Sequence, residues 1–124
     1  MKSIIRIEKL EDLLVWCKAR DLNTQIYKIT GKGPFGKDYP LRDQIRRAAI
    51  SISSNIAEGF GRYSKKEYAN FLSIAAGSAS EVKSQILLAH ELRYVDKEES
   101  ERISEFCMEI CRMVTGLRRK IVDV

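Results

Sequence analysis

Few residues of this chain could carry out chemistry, and the cysteines and the single histidine come first. Cys107 and Cys111 are four residues apart, a spacing that places two thiolates on one face of a helix, where they could ligate a metal. A closed zinc site needs two further ligands, and among soft ligands only Cys17 and His90 could supply them. Because Cys107 also occupies a position in an apolar helical repeat, we expect it to pack in a core. We predict no metal and no cofactor.

Acid–base and nucleophilic catalysis have equally few candidates. We expect His90 to lie at the core-facing edge of its helix as a packed residue, so a serine or cysteine nucleophile has no free histidine base. A single histidine also excludes the repeated Glu-x-x-His motifs of a di-iron bundle. The carboxylates Glu58 and Glu81 fall off the apolar stripes, which favours ion pairing at the surface or at an interface. We therefore predict that the protein is not an enzyme.

Basic residues form the more informative pattern, because the net charge is +5 and the pI is about 9.2. Residues 41–66 contain six cations and two carboxylates, so this stretch alone carries +4. Cations beside the aromatic residues Phe60 and Tyr63 are typical of surfaces that bind phosphates and stack bases. The cations for which we predict contacts with RNA or DNA are Arg42, Arg62, Lys65, Lys66, Arg118, Arg119 and Lys120.

The same charges also have a structural interpretation. Asp43 and Arg47 are four residues apart on a predicted helix, and Arg47 shares a face with Glu58, so internal ion pairs could neutralise part of the charge. We assign Arg46 and Arg47 to fold or interface roles for this reason. A protein-interaction adaptor or scaffold, whose basic face serves an acidic partner protein, stays open as the alternative function. The cations that we expect to face solvent are Arg42, Arg62, Lys65 and Lys66.

The elements that must position these residues follow from apolar periodicity. We predict an all-α fold, an antiparallel up-down-up-down four-helix bundle in one domain of residues 1–124, because the connections are short. Residues 1–11 are expected to form an extended lead-in, and the glycines and prolines of residues 31–40 a connector. Gly59 and Gly61 are expected to end the second helix in the left-handed conformation. The predicted helices span about residues 12–30, 41–59, 65–93 and 97–121.

Details within these helices carry further expectations. Residues 64–67 and 96–99 match the capping-box pattern that begins a helix. Gly77 lies inside the third helix, where glycine costs about 1 kcal/mol relative to alanine, and close approach of a neighbouring helix would offset that cost. Asn55 falls within an apolar stripe, so its amide must find hydrogen-bond partners there.

The predicted helices carry more apolar surface than one bundle can bury. Trp16 and Tyr27 lie beside the apolar seam of the first helix, and Ile74, Leu88 and Leu92 form a second apolar line on the third. This excess favours a homo-oligomer, although packing at the edge of the same core is an equal alternative for the two aromatic residues. The predicted fold or interface residues are Trp16, Tyr27, Arg46, Arg47, Asn55, Glu58, Ile74, Leu88 and Leu92.

Composition excludes several other classes of protein. An apolar content of 44% with only two prolines argues against disorder. No apolar run approaches the roughly 20 residues of a membrane span, and the first residues lack the uninterrupted apolar segment of a signal peptide. Three widely spaced cysteines, an odd number, fit a reducing compartment better than a disulfide framework. We expect a cytoplasmic protein without membrane contact.

Three segments resemble a known family: LLVWCKARDL, PLRDQIRRAAISISSNIAEGFGR and EYANFLSIAAGSASEV. From about residue 13 to residue 94 the chain resembles the bacterial four-helix bundle proteins encoded by intervening sequences within 23S ribosomal RNA genes. The resemblance implies a ring-like homo-oligomer, typically a pentamer, and extends to the accessory proteins of diversity-generating retroelements, which bind nucleic acid and a reverse transcriptase. It implies no catalytic residues. The matched residues, which we expect to determine fold and interface, are Gln44, Arg46, Arg47, Ser51, Asn55, Glu58 and Gly59.

Overall fold

The chain folds into four long helices and one short helix. The structure is a computed structural model that describes residues 9–123, and every regular element within that range is helical. The predicted lead-in lies mostly outside the described residues, except for a 3-10 turn at Leu10–Asp12. The helices are α1 Leu14–Ile29, α2 Gly33–Lys37, α3 Tyr39–Phe60, α4 Lys65–Glu91 and α5 Lys97–Asp123.

The four long helices pack in a closed antiparallel arrangement. Helix α3 lies between α1 and α4, α5 packs along α4, and α1 also contacts α5. The prediction of an all-α four-helix bundle is therefore confirmed. Over residues 9–123, none of these helices is both long enough and apolar enough to cross a membrane.

Helix α3 supplies the central apolar stripe of the core. Ile45, Ile52 and Ile56 have no solvent-accessible surface, and burial of each such side chain contributes about 1.5–3 kcal/mol. Helix α4 carries the small residues Ala75 and Ala79, which are also fully buried. Small side chains of this kind let α4 pack closely against its neighbours.

The connector before α3 contains a helix that periodicity did not predict. Helix α2 begins at Gly33, whose positive φ of 63° suits glycine. Its one buried residue, Phe35, is 1% exposed and stacks on the ring of Tyr94 with centroids 5.2 Å apart. Helix α3 then begins at residue 39 rather than 41, because the Asp38 carboxylate accepts a hydrogen bond from the Leu41 N–H at 3.2 Å.

The helix does end at these glycines, since α3 stops at Phe60, but the left-handed conformation predicted for Gly59 and Gly61 is wrong. Gly61 has φ −83°, and Gly59 lies buried within α3. Among the non-glycine residues that the structure describes, the one with a left-handed backbone is Arg93, with φ 64°. It follows α4, where the Tyr94 N–H donates to the Ala89 carbonyl at 2.8 Å and so satisfies one of the last carbonyls of the helix.

The predicted N-terminal caps of α4 and α5 are present as side-chain hydrogen bonds. Ser64 Oγ accepts from the Glu67 N–H at 3.2 Å, and the Asp96 carboxylate accepts from the Glu99 N–H at 2.7 Å.

Gly77 does not behave as predicted. A Cβ built there would have no atom within 4 Å, so no neighbouring helix approaches this residue within the protomer.

Asn55 finds the partners that its position requires. Its amide donates to the carbonyl of Ser51 at 2.8 Å and to the Ser51 hydroxyl at 2.9 Å. The Ser51 hydroxyl is in turn 2.9 Å from the hydroxyl of Ser78 on α4. A short polar chain therefore links α3 to α4 beside the apolar stripe.

Candidate nucleic-acid interface

The antiparallel order brings two basic segments to one end of the bundle. Residues 60–66 connect α3 to α4, and residues 117–121 lie near the end of α5, which runs antiparallel to α4. The Arg118 guanidinium donates to the Ala69 carbonyl at 3.3 Å and so ties the second segment to α4, three residues beyond the first segment. Together they contain six cations and no acidic residue. We call the following residues the basic end: Arg62, Lys65, Lys66, Arg118, Arg119 and Lys120.

All six cations of the basic end are exposed, but they differ in their contacts. Arg62 pairs with Glu58 at 2.5 Å, and its guanidinium lies 5.1 Å from the centre of the Phe71 ring. Within the described part of the chain, the other five cations make no ion pair. Arg118 is held by the Ala69 carbonyl, which leaves four cations without either contact: Lys65, Lys66, Arg119 and Lys120. These four can therefore neutralise an external anion without breaking an internal contact.

The two aromatic residues of the turn have different environments. Phe60 is half-buried and meets Tyr68 edge to face, with centroids 6.5 Å apart and an interplanar angle of 81°. Tyr63 is fully exposed, at 104% of its reference surface. Phe60 thus belongs to the packing of the bundle, whereas the Tyr63 ring is available to solvent.

Arg42 lies away from the other candidates, at the opposite end of the bundle. It is half-buried rather than solvent-facing, pairs with Asp43 at 2.9 Å and donates to the Gly36 carbonyl at 3.3 Å.

The predicted ion pairs of Arg47 are wrong. Asp43 pairs with Arg42, and Glu58 pairs with Arg62. Arg47 is exposed and has no ion pair among residues 9–123.

Arg46 joins the end of α1 to α3. Its guanidinium donates to the Thr30 hydroxyl at 2.7 Å and lies 4.3 Å from the centre of the Tyr27 ring. The fully buried Thr30 hydroxyl in turn donates to the Ile26 carbonyl at 2.6 Å. Trp16, the other aromatic residue beside the seam of α1, is half-buried.

An apolar line runs along the outer side of α4. Ile74, Leu88 and Leu92 remain 51%, 48% and 46% exposed within the protomer. The neighbouring Leu87, which the sequence pattern did not single out, is 48% exposed. We call the first three residues the α4 apolar line.

The residues with the most reactive side chains, Cys107 and His90, do not form a catalytic group. Burial, with a smaller contribution from the nearby Cys111, raises the pKa of the Cys107 thiol to about 12, so this thiol stays protonated near neutral pH. His90 is exposed, which corrects the prediction of a packed histidine. Ala89, not His90, points into the core at that turn of α4. Over residues 9–123, no three His, Cys, Asp or Glu residues are grouped so that they could hold a metal ion.

A cleft of about 480 Å³ opens at the end opposite the basic end, lined by Gly33, Pro34, Lys37, Asp38 and Tyr94. Its carboxylate is already engaged, since Asp38 caps α3 and accepts a hydrogen bond from the Tyr94 hydroxyl at 2.8 Å. That hydrogen bond raises the pKa of Tyr94. The Asp38 carboxylate in this cleft is therefore already used to stabilise the fold, and the Tyr94 hydroxyl keeps its proton.

The fold and the site together define a class: a small helical bundle with cations gathered at one end and an unburied apolar line on one helix. The chain belongs to the 23S rRNA-intervening sequence protein family, whose model matches residues 11–116. The family resemblance of the sequence is thereby confirmed.

A solved structure shares this fold. It is a protein of unknown function from the S23 ribosomal protein family of Bacteroides thetaiotaomicron. The two chains superpose with a TM-score of 0.80 and 25% sequence identity, over 87% of this chain and 97% of that chain. No curated protein sequence matches this chain.

Proposed function

We propose that this protein is a non-enzymatic, oligomeric helical bundle that binds RNA or DNA through its basic end. The observation that carries the proposal is the concentration of six exposed cations, without an acidic residue, in two segments at one end of the bundle, the second of which is tied to α4 by the Arg118–Ala69 contact. The backbone of a polynucleotide presents closely spaced phosphate charges to such a surface, and release of the counterions of these phosphates drives binding. The three free cysteines suit a role in the reducing cytoplasm.

Oligomerisation would raise the affinity of the basic end for a polynucleotide. The basic end of one protomer offers five cations without an ion pair among the described residues, so its own affinity should be modest and strongly dependent on salt. Several copies acting on one polynucleotide gain avidity without any new kind of contact. We propose that copies associate through the α4 apolar line, and the family resemblance favours a pentamer.

The test is binding of a fluorescently labelled polynucleotide at increasing salt, with two matched triple variants. The variant K65Q/K66Q/K120Q removes three exposed cations from the basic end, and K28Q/K32Q/K37Q removes three exposed lysines at the opposite end. We expect the first variant to bind at least about tenfold more weakly and the slope of log affinity against log salt to fall by about 2, at about 0.7 per phosphate contact. The second variant should bind nearly as the wild type does.

Two results would overturn this proposal. One is the absence of salt-sensitive binding at low ionic strength, and the other is an equal loss in both triple variants. A complex that is isolated from the host, survives nuclease treatment and requires the same three lysines would instead support an adaptor for an acidic protein.

A further inference from the structure

We propose that the basic end prefers single-stranded to double-stranded polynucleotides, with Tyr63 as the side chain on which an unpaired base stacks. This inference rests on the proposed nucleic-acid function. In a duplex the faces of the bases are covered by neighbouring base pairs, whereas in a single strand they are available to an aromatic ring. An aromatic ring that is open to solvent beside unpaired cations should therefore bind a single strand more tightly than a duplex.

Tyr63 differs from the other exposed tyrosines of the described chain. The guanidinium of Arg46 lies 4.3 Å from the centre of the Tyr27 ring, and that of Arg42 lies 4.6 Å from the centre of the Tyr39 ring. Each of those rings has one face occupied. No ring or cation pairs with the Tyr63 ring among residues 9–123, and its full surface is exposed.

The backbone that presents Tyr63 is held on both sides. Before it, the Arg62 N–H donates to the Gly59 carbonyl at 3.0 Å, and the Arg62 side chain pairs with Glu58. After it, Ser64 caps α4. Because these contacts already order the turn, binding of a stacked base does not include the entropy cost of fixing this backbone.

The cations that would hold the flanking phosphates are close in sequence. Lys65 and Lys66 follow Tyr63 by two and three residues, and both are exposed without ion pairs within the described range. In this arrangement the lysines neutralise the backbone and Tyr63 contacts a base. Arg62, which is engaged with Glu58 and Phe71, is a positioning residue for the turn.

The test compares Tyr63→Ala with the wild type on single-stranded RNA, single-stranded DNA and a duplex of the same sequence. We expect the wild type to bind the single strands more tightly than the duplex. Tyr63→Ala should lower single-strand affinity about tenfold, as loss of one base–aromatic stack does, and leave the duplex affinity and the salt slope unchanged. A loss on either single strand supports the proposal, and the two arms show which sugar the ligand carries.

Three controls separate stacking from other effects. Tyr63→Phe keeps the ring and should bind as the wild type does. Tyr39→Ala removes an exposed tyrosine at the opposite end and should change neither affinity. Sedimentation of Tyr63→Ala checks that its oligomeric state is that of the wild type.

The outcomes distinguish this inference from the function on which it rests. If Tyr63→Ala binds single strands and duplex as the wild type does, or loses affinity for both equally, the stacking role is wrong while nucleic-acid binding stands. If the wild type binds neither ligand in a salt-sensitive way, the proposed function fails and the strand preference fails with it.

Discussion

Gly59 of α3 lies directly against Tyr68 of α4. A Cβ built on Gly59 would be 2.9 Å from Tyr68 Cδ1, and equally close to the Cβ of Phe71. Real Cβ atoms are essentially never found so near another heavy atom. The glycine at position 59 is therefore required by the close approach of the two helices beside the basic end, not by a left-handed backbone.

Gly59→Ala should destabilise the protein, because the added methyl group forces α3 and α4 apart. The expected loss in the free energy of unfolding is about 1–3 kcal/mol, measured by urea denaturation. Gly116→Ala is the matched control, since a Cβ at Gly116 of α5 has nothing within 4 Å. Alanine there should stabilise the helix by up to about 1 kcal/mol. An unchanged urea midpoint for Gly59→Ala would contradict the tight contact.

Arg46→Lys should destabilise the protein although it preserves the charge. Lysine cannot reproduce both the hydrogen bond to the buried Thr30 hydroxyl and the flat contact with the Tyr27 ring. We expect a loss of about 1–3 kcal/mol in thermal or urea unfolding. Arg47→Lys, at the adjacent exposed position, should change stability by less than about 0.5 kcal/mol. Equal effects at the two positions would refute the role assigned to Arg46.

Charges placed in the α4 apolar line should dissociate the proposed oligomer. Ile74→Asp/Leu88→Asp introduces two carboxylates on a face that we propose to be covered by another copy, where unpaired charge is costly. Sedimentation should show an assembly for the wild type and a folded monomer for the double variant. Tyr39→Asp, an exposed substitution at the start of α3, should sediment with the wild type. A wild-type protein that remains monomeric at high concentration would rule out this interface.

Stability should fall as the pH rises above about 9, partly because of Cys107. Its thiol has a folded pKa of about 12, so in the alkaline range the unfolded chain ionises while the folded chain keeps its proton. The stabilisation is fully present below the unfolded pKa and is lost above it, by up to about 1.4 kcal/mol per pH unit. Cys107→Ala should be less stable at neutral pH but should show a shallower alkaline decline.

The control for this slope is Val114→Ala, which truncates another fully buried side chain of α5 without removing a titratable group and should keep the wild-type pH dependence. Tyr68 and Tyr94 also have raised pKa values and contribute to the alkaline decline in every variant. Only the difference in slope between wild type and Cys107→Ala therefore tests the thiol. Parallel curves would show that Cys107 ionises as readily in the folded state as in the unfolded one.

The long helices and their core faces could be predicted because they depend on periodicity. Ile45, Ile52 and Ile56 recur at helical spacing, and burial of that stripe decides how α3 packs. The N-terminal caps at Ser64 and Asp96 were also predictable, since a cap depends on residues only three positions apart. Local pattern and local chemistry agree at these positions.

The remaining features depend on contacts between segments that are distant in sequence. The five residues of α2 are too few for a periodic signal, and this helix is anchored by Phe35 on Tyr94, which follows α4. The ion-pair partners of Asp43 and Glu58 depend on which of several nearby arginines has the better side-chain geometry. The Arg118–Ala69 contact that completes the basic end depends on the register of α5 against α4.

All cations of the basic end lie at the same end of the bundle, and this has a consequence for assembly. If copies surround a single rotation axis, every subunit has the same polarity, and all these charges fall on one rim. Like charges on that rim repel one another, and a bound polyanion relieves the repulsion. Ligand binding and subunit association should then reinforce each other, so the particle would be most stable when it is loaded.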